Sequence, residues 1–431
     1  MSHDRPQAHD LPDKAASLLK LLESLSVFNA IPVEKKPKSH QFWSTQPVPQ
    51  SETDFHTDAQ AEDGPLKPVT DLHHEPTPLP DGFEFASFDC TNEQQLQELY
   101  VLLKGNYVED YDSQFRFDYS KDFLLWALQP PVHFTTSTHN YWQMGIKDIN
   151  GKLVAFISFV PCLINVKGKE VKVGDVNFLC IEKAYRSRRW APLLIQEATR
   201  RSNLVGIEQG LYTAGIQLPH PLTTAQYYHR PLNNSKLVEA GFSCLPLGAS
   251  KEQMDKHYLL PSSDSGLSPM TVDDIPQAFN LLSQYLSKFK LFPVMTLDEF
   301  THWFSSKPGV VYSFVQKDKN NSVTGFVSFY DIPTSVLHEK SPHTTVNTAY
   351  LYYYAVPLGQ EDAAIYPLLK SALVEARNLG FDVFNCVEIM DSTADLLKAL
   401  KFGEGDGSLR YYLFNWKTTA FKPQDVAFVM H

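Results

Sequence analysis

The sequence predicts an α/β fold built from two fused copies of one strand–turn–helix unit. Three observations carry this. A β-branched, apolar run from Val171 to Ile181 leads into a short basic turn and then an apolar helix face. The same order returns in the second half, with Phe156 and Phe326 170 residues apart and Pro192 and Pro367 175 apart. At 431 residues, with 43% hydrophobic and 13% aromatic residues, the chain is long enough for two domain cores.

Residues 1–38 are polar, and Leu18, Leu19, Leu21, Leu22 and Leu25 read as one short amphipathic helix that rests on the body or frays. Glu34 to Lys38 is a solvated basic run, and Phe42 and Trp43 head an extended tract. From Ser51 to Pro80, Pro, Asp and Glu mark a long surface connection. Leu96, Leu99 and Leu103 give a helix over Thr91–Leu103, and a second covers Asp122–Leu128, ended by Pro130 and Pro131. Strands follow at Lys152–Ile164 and Val171–Ile181 around a turn at Lys167–Lys169. In the second half, Val323–Phe329 resembles Leu153–Phe159, Thr348–Val356 resembles 171–181, and Thr271–Leu286 matches the helix at 91–103. Pro, Ser and Gly gather in the join, Leu247 to Ser268.

A net charge of −11 argues against nucleic acid as a partner and fits a basic peptide. Five scattered cysteines without a C-x-x-C suggest neither a disulfide framework nor a zinc site, and favour a reducing, cytoplasmic compartment. His73, His74 and Glu75 lack metal-ligand spacing, so no metal is expected. With no run of 18 apolar residues and no leader peptide, an integral membrane protein is not expected.

The stretch from Asp175 to Arg200 carries the chemistry. Pro192 is placed at the first helical position, where its missing N–H costs nothing, and Ala191, Leu194, Ile195 and Ala198 form one apolar face. Free backbone N–H groups, the positive end of the helix dipole and Arg186, Arg188 and Arg189 then form an anion site. No G-x-G-x-x-G or Lys-Ser/Thr phosphate loop is present. A solvated basic turn before an ordinary helix is the alternative. The second copy, Pro357 to Ala364, is acidic there, so only the first copy suits an anionic cofactor.

At these residues the chain resembles the glycylpeptide N-myristoyltransferases. Asp175 to Lys183 is similar to the signature E-[IV]-N-F-L-C-x-H-K, and Lys401 to Gly407 matches K-F-G-x-G-D-G. Further matches run in the family's order: Phe42 to Val48, Asn106 to Asp110, Phe115 to Phe117, Tyr212 to Gly215, His229 to Asn233, Ser328 to Tyr330 and Val426 to Met430. The resemblance covers the chain from about residue 39 and implies two fused acetyltransferase-like (GNAT) units. It implies a flexible arm at 1–38, a myristoyl-CoA-binding domain at 39–245, and a domain at 246–431 that binds peptide and supplies a C-terminal catalytic carboxylate.

The activity implied is transfer of myristate from myristoyl-CoA, a co-substrate rather than a resident cofactor, to the α-amine of an N-terminal glycine. The resemblance assigns the oxyanion to backbone N–H groups of Phe178 and Leu179. It assigns the base to the carboxylate of His431, with Asn177 and Thr213 holding the amine or its base. The apolar run Val426–Met430 supports this independently, because chain ends are otherwise polar and fray. CoA falls to Gln41, Phe42 and Trp43, to Phe178, Leu179, Cys180 and Ile181, and to Arg186, Ser187, Arg188, Arg189, Trp190, Ala191 and Pro192. The peptide falls to Tyr107, Asp110, Asp112, Phe115, Phe117, Tyr119, Tyr227, His229, Thr334, Asp406 and Gly407, with the acids meeting a downstream basic residue. Gly403, Gly405 and Gly407 are expected to make a tight turn.

Several positions depart from the pattern. Glu182 stands for a histidine, Asp175 for a glutamate, Tyr228 for a tryptophan, Gly325 for an aspartate and Gln143 for a histidine. The chain ends in His431 where an apolar residue is usual, so its imidazole either pairs with the carboxylate or competes as a base. None of these changes removes a backbone donor. A monomer is expected, and docking of the arm on ribosomes is left open. Another CoA-dependent N-acyl- or N-acetyltransferase, or a non-catalytic acyl-CoA or peptide binder, are the alternatives.

Overall fold

A computed structural model describes residues 41–51, 62–109, 114–135, 139–260 and 264–431. The leucine helix at 18–25, the basic run at 34–38, and Asp110 and Asp112 lie outside these residues.

In the first half the strands are β1 (Phe83–Ser87), β2 (Phe115–Phe117), β3 (Gln143–Asp148), β4 (Leu153–Val166), β5 (Lys169–Ile181), β6 (Gln209–Ala214) and β7 (Thr223–Pro231). In the second half they are β8 (Ser268–Pro269), β9 (Leu291–Pro293), β10 (Val311–Lys317), β11 (Val323–Asp331), β12 (Thr334–Val336), β13 (Thr345–Val346), β14 (Thr348–Ala355), β15 (Val383–Val387) and β16 (Gly403–Phe414). The helices that matter to the site are α1 (Glu93–Asn106), α2 (Lys121–Leu128), α3 (Trp190–Leu204), α4 (Ile275–Leu286), α5 (Leu297–Phe304) and α6 (Glu361–Asn378). At α1 and α2 the starts follow the caps. Asn92 accepts the N–H groups of Gln94 and Gln95, so α1 begins two residues later than expected, and Ser120 accepts that of Phe123.

Among the described residues thirteen strands form one sheet, with its main path in the order β1-β3-β4-β5-β6-β16-β7-β15-β14-β11-β10-β8. The two copies are visible in it. β4 pairs antiparallel with β5, which pairs parallel with β6 across the crossover helix α3. β11, β14, β15 and α6 repeat that arrangement. The copies exchange their last strands. β16 pairs with β6 of the first half, β7 pairs with β15 of the second, and β16 and β7 pair with each other. The seam is therefore continuous backbone, and side chains from both halves meet there.

The helix of each copy differs from expectation at its proline. α3 begins at Trp190, so Pro192 is the third helical residue; Arg189 before it is left-handed, at φ 60°. Pro367 lies inside α6, well past its first turn. The two prolines are thus not equivalent, and the helix starts, Trp190 and Glu361, align instead.

Candidate active site

A cavity of about 1230 Å³ opens along the seam. Phe42, Trp43, Tyr107, Asn177, Phe178, Leu179, Ala191, Pro192 and Thr213 line it from the first half together with the peptide candidates Phe115, Phe117, Tyr119, Tyr227 and His229. Thr334, Asp406, Gly407 and His431 line it from the second.

Its centre is a break in the β4–β5 ladder. Phe156 faces Cys180 and Ser158 faces Asn177, so Phe178 and Leu179 together oppose Ile157. This is a β-bulge, and Phe178 takes φ 54°, a left-handed value that bulky residues rarely adopt. The Phe178 side chain is core while Leu179 is exposed. The Phe178 N–H is engaged: it donates to Asn177 Oδ1 at 2.8 Å. Tyr107 Oη donates to the same oxygen at 3.3 Å, and Asn177 Nδ2 donates to a terminal oxygen of His431 at 2.7 Å.

The chain end reaches this point as buried, irregular backbone. Val426 to Met430 are all buried. Specific partners take up their polar groups. Ala427 N–H donates to Leu291 O at 2.7 Å, Val429 N–H to Tyr353 Oη at 3.0 Å, and Tyr330 Oη to Met430 O at 3.1 Å. The His431 imidazole has a partner of its own: its Nε2 meets Tyr352 Oη at 2.8 Å, and burial pushes the ring down to about 3.

On the α3 side of the cavity, Trp43 stacks on Tyr212 at 5.5 Å and Tyr212 on Tyr412 at 5.0 Å. Arg189 Nη2 donates to Gln41 Oε1 at 2.9 Å, fastening the Phe42–Trp43 segment beside α3. Ser187, Arg188 and Arg189 are exposed, while Arg188 lies over the Tyr185 ring at 5.3 Å. Arg186 is occupied with the carbonyls of Ile181 and Asn106. Cys180 and Trp190 are buried, and neither they nor Gln41, Ile181 and Arg186 to Arg189 line the cavity wall.

On the opposite side β2 pairs with β12, setting Phe117 beside Thr334, whose hydroxyl lies 3.2 Å from that of Thr348. Tyr107 and Tyr119 pack on the Phe178 ring at 6.0 and 5.3 Å. Burial raises the Tyr227 hydroxyl to about 12 and lowers the imidazole of His229, whose Nδ1 contacts Asn385 Oδ1 at 2.7 Å. The glycine segment is a correction. Residues 403–407 open strand β16 rather than a tight turn, and Gly405 has ordinary backbone there. Its smallness serves His229, since a Cβ would lie 2.4 Å from that ring's Nε2. Asp406 is exposed on the rim, its carboxyl raised to about 6 by partial desolvation.

Two of the departures find a partner. Glu182 Oε1 takes Lys152 Nζ at 2.6 Å, and Gln143 Nε2 donates to Leu128 O at 2.6 Å. Asp175 Oδ1 is buried without a hydrogen-bond partner, and desolvation raises its carboxyl to about 7. Sequence reasoning missed the residues that hold the chain end: Tyr330, Tyr352, Tyr353, Trp126 and Trp303. The repeat relates them to the first bulge, because superposing the two bulges sets Leu351 to Tyr354 against Asn177 to Cys180.

Comparison with known proteins agrees with this geometry. The family described as myristoyl-CoA:protein N-myristoyltransferase matches over residues 64–225 with its N-terminal domain and 239–428 with its C-terminal domain. A probable glycylpeptide N-tetradecanoyltransferase of Caenorhabditis elegans is 42% identical over 403 residues, covering 92% of this chain and 87% of its own. The Drosophila melanogaster glycylpeptide N-tetradecanoyltransferase is 40% identical, covering 96% and 86%. A crystal structure of Saccharomyces cerevisiae N-myristoyltransferase with bound myristoyl-CoA superposes with a TM-score of 0.84 at 37% identity, covering 91% of this chain and all of that one.

Proposed function

The chain belongs to the myristoyl-CoA:protein N-myristoyltransferase family, and we propose that its seam cavity receives myristoyl-CoA from the α3 side and peptide from the β16 side. It is an acyltransferase, a glycylpeptide N-tetradecanoyltransferase, and moves myristate from myristoyl-CoA to the α-amine of an N-terminal glycine. The observation that carries the division of roles is the His431 carboxylate, 2.7 Å from Asn177 and next to the Phe178–Leu179 bulge.

The reaction runs between these groups. The terminal carboxylate takes a proton from the glycine ammonium. The free amine attacks the thioester carbon, and the C–N bond forms. The carbonyl oxygen gains charge and takes the N–H groups of Phe178 and Leu179, the first handed over by Asn177 Oδ1. The C–S bond then breaks, the nitrogen gives its second proton to the departing sulfur, and CoA leaves as its thiol beside the new amide. Thr213 lies along the amine's approach. Arg188 and Arg189, the free N–H groups at the start of α3 and the Trp43 cover suit the CoA phosphates and their lid. Arg186 shapes that turn through the carbonyls it holds. Tyr107, Phe115, Phe117, Tyr119, Tyr227, His229, Thr334 and Gly407 form the peptide walls, with Asp406 and the 110–112 acids facing a downstream lysine. In this reading residues 39–245 form the acyl-CoA domain and 246–431 the peptide domain, behind an arm at 1–38 open to ribosome docking. The enzyme works as a cytoplasmic monomer. Among the described residues no helix is long and apolar enough to cross a membrane.

Incubation with a Gly-initiated basic peptide and either myristoyl-CoA or acetyl-CoA tests the reading. Transfer of the C14 chain is expected, with each buried CH₂ worth about 0.8 kcal/mol. Acetyl transfer, or binding without turnover, would sink it. A chain ending at Met430 is expected to bind acyl-CoA and lose turnover; if it keeps full activity, the carboxylate is not the base.

A further inference from the structure

The last residue of a chain has no following peptide to fix it. Its carboxylate turns freely about the Cα–C bond, and chain ends fray. A base that must meet an amine within hydrogen-bond reach therefore needs another constraint, since a misplacement of about 1 Å costs on the order of 100-fold. In this chain the constraint is available in the terminal side chain. The imidazole stacks on Trp303 at 4.7 Å and 22°, and meets the Trp126 ring edge-on at 4.8 Å. Tyr352 Oη closes the box on Nε2 at 2.8 Å. The box walls are themselves joined: Trp126 Nε1 donates to His302 O at 3.1 Å, and His302 Nε2 contacts Trp126 O at 2.8 Å. α2, α5 and β14 thus hold the ring, while Asn177 on β5 holds the carboxylate at 2.7 Å.

We propose that the His431 side chain is a positioning element, seated by Tyr352, Trp126 and Trp303, that fixes the terminal carboxylate without exchanging a proton itself. This deepens the base reading and rests on it. The ring stays neutral because burial and the neighbouring His302 disfavour its cation. Tyr352 is buried and its hydroxyl is pushed well up, so it too keeps its proton. Asp175 and Glu299 also line the small space beside the ring, and the hydrogen bond observed at Nε2 goes to Tyr352. The ring thus has a role that an apolar terminal residue can fill in part.

Three full-length variants test this. His431→Gly keeps a terminal carboxylate but empties the box; kcat is expected to fall about 100-fold, with KM for peptide and the acyl-CoA dissociation constant within about threefold. His431→Leu refills the box and should recover kcat to within about tenfold of the parent. Tyr352→Phe, which leaves the ring in place, should lower kcat about three- to tenfold. Unchanged kcat in His431→Gly would overturn the inference, as would a His431→Leu enzyme no better than His431→Gly. The chain ending at Met430 keeps the two readings apart. Its activity would remove the base itself, whereas unchanged kcat in His431→Gly would remove only the role of the ring.

Discussion

The same bulge occurs in both halves of the molecule and does different work in each. In the first copy one residue of β4 opposes two of β5, which sets Phe178 and Leu179 out of register at the cavity. In the second, Val327 faces Tyr354 and Phe329 faces Leu351, which displaces Tyr352 and Tyr353. Those two tyrosines carry the terminal segment, through Val429 N–H and the His431 ring. The turns diverge too. Residues 182–189 join β5 to α3 and include three arginines, whereas residues 356–360 join β14 to α6 and are shorter. At the second site Lys288 bridges Glu361, at 3.1 Å, and Asp391, so an internal cation faces the acids at the helix start. Duplication thus provided two equivalent bulges; one lies at the cavity and the other holds the terminal segment that reaches it.

The largest expected effect comes from giving the first turn the second's character. Arg188→Glu with Arg189→Glu replaces two exposed cations beside the start of α3. Charge-assisted contacts are worth roughly 1.5–3 kcal/mol each, so acyl-CoA affinity should fall about 100-fold or more. Titration calorimetry with myristoyl-CoA reads it, and unchanged affinity would place the CoA phosphates elsewhere.

Asn177→Leu grafts the second copy's Leu351 onto the first bulge. It removes the amide that connects the Phe178 N–H to the His431 carboxylate. A kcat loss of about 100-fold is expected, the lower end of what removal of one oxyanion donor costs. The acyl-CoA dissociation constant should barely move. If kcat is retained, the amide is a bystander.

These two regions also separate what the sequence discloses from what it conceals. The long strands β4, β5, β11 and β14, the helix α3 and the basic turn follow from local periodicity and residue type, and the repeat, with α6, follows from comparing one half with the other. The exchange of β7 and β16 does not, because pairing partners across a seam leave no local period. The link between Asn177 and His431 spans 254 residues, and no spacing rule reaches that far. The glycines at 403–407 misled for a related reason: glycine signals a turn when read locally, whereas Gly405 answers to the His229 ring across a strand pair.

A smaller effect tests the strand that leads into each bulge. Asp175 in β5 stands where β14 has Ala349. Desolvation raises its carboxyl to about 7, and Oδ1 has no partner. A carboxyl raised on folding costs stability as soon as pH passes its unfolded value of about 3.9, and the cost grows until pH passes the folded value. Asp175→Asn should therefore raise the melting temperature by a few degrees at pH 8 and hardly change it at pH 4. Equal shifts at both values would mean the charge is not the cause.

The smallest effect is expected at the second helix start. Glu361→Gln loosens Lys288 from the beginning of α6 while leaving Asp391 in place. Both side chains of the Lys288–Glu361 pair are partly exposed, so the pair is worth on the order of 0.5–1 kcal/mol and stability should drop only slightly. Binding is the sharper readout. Removing one acid still leaves Asp362, a turn without arginines and a bulge filled by tyrosines, so no second myristoyl-CoA should be detected by calorimetry. A second equivalent bound in Glu361→Gln would show that a single ion pair is what keeps acyl-CoA from the second helix start. Its absence assigns the difference to the whole turn and bulge, which is what two copies with one scaffold and different loops require.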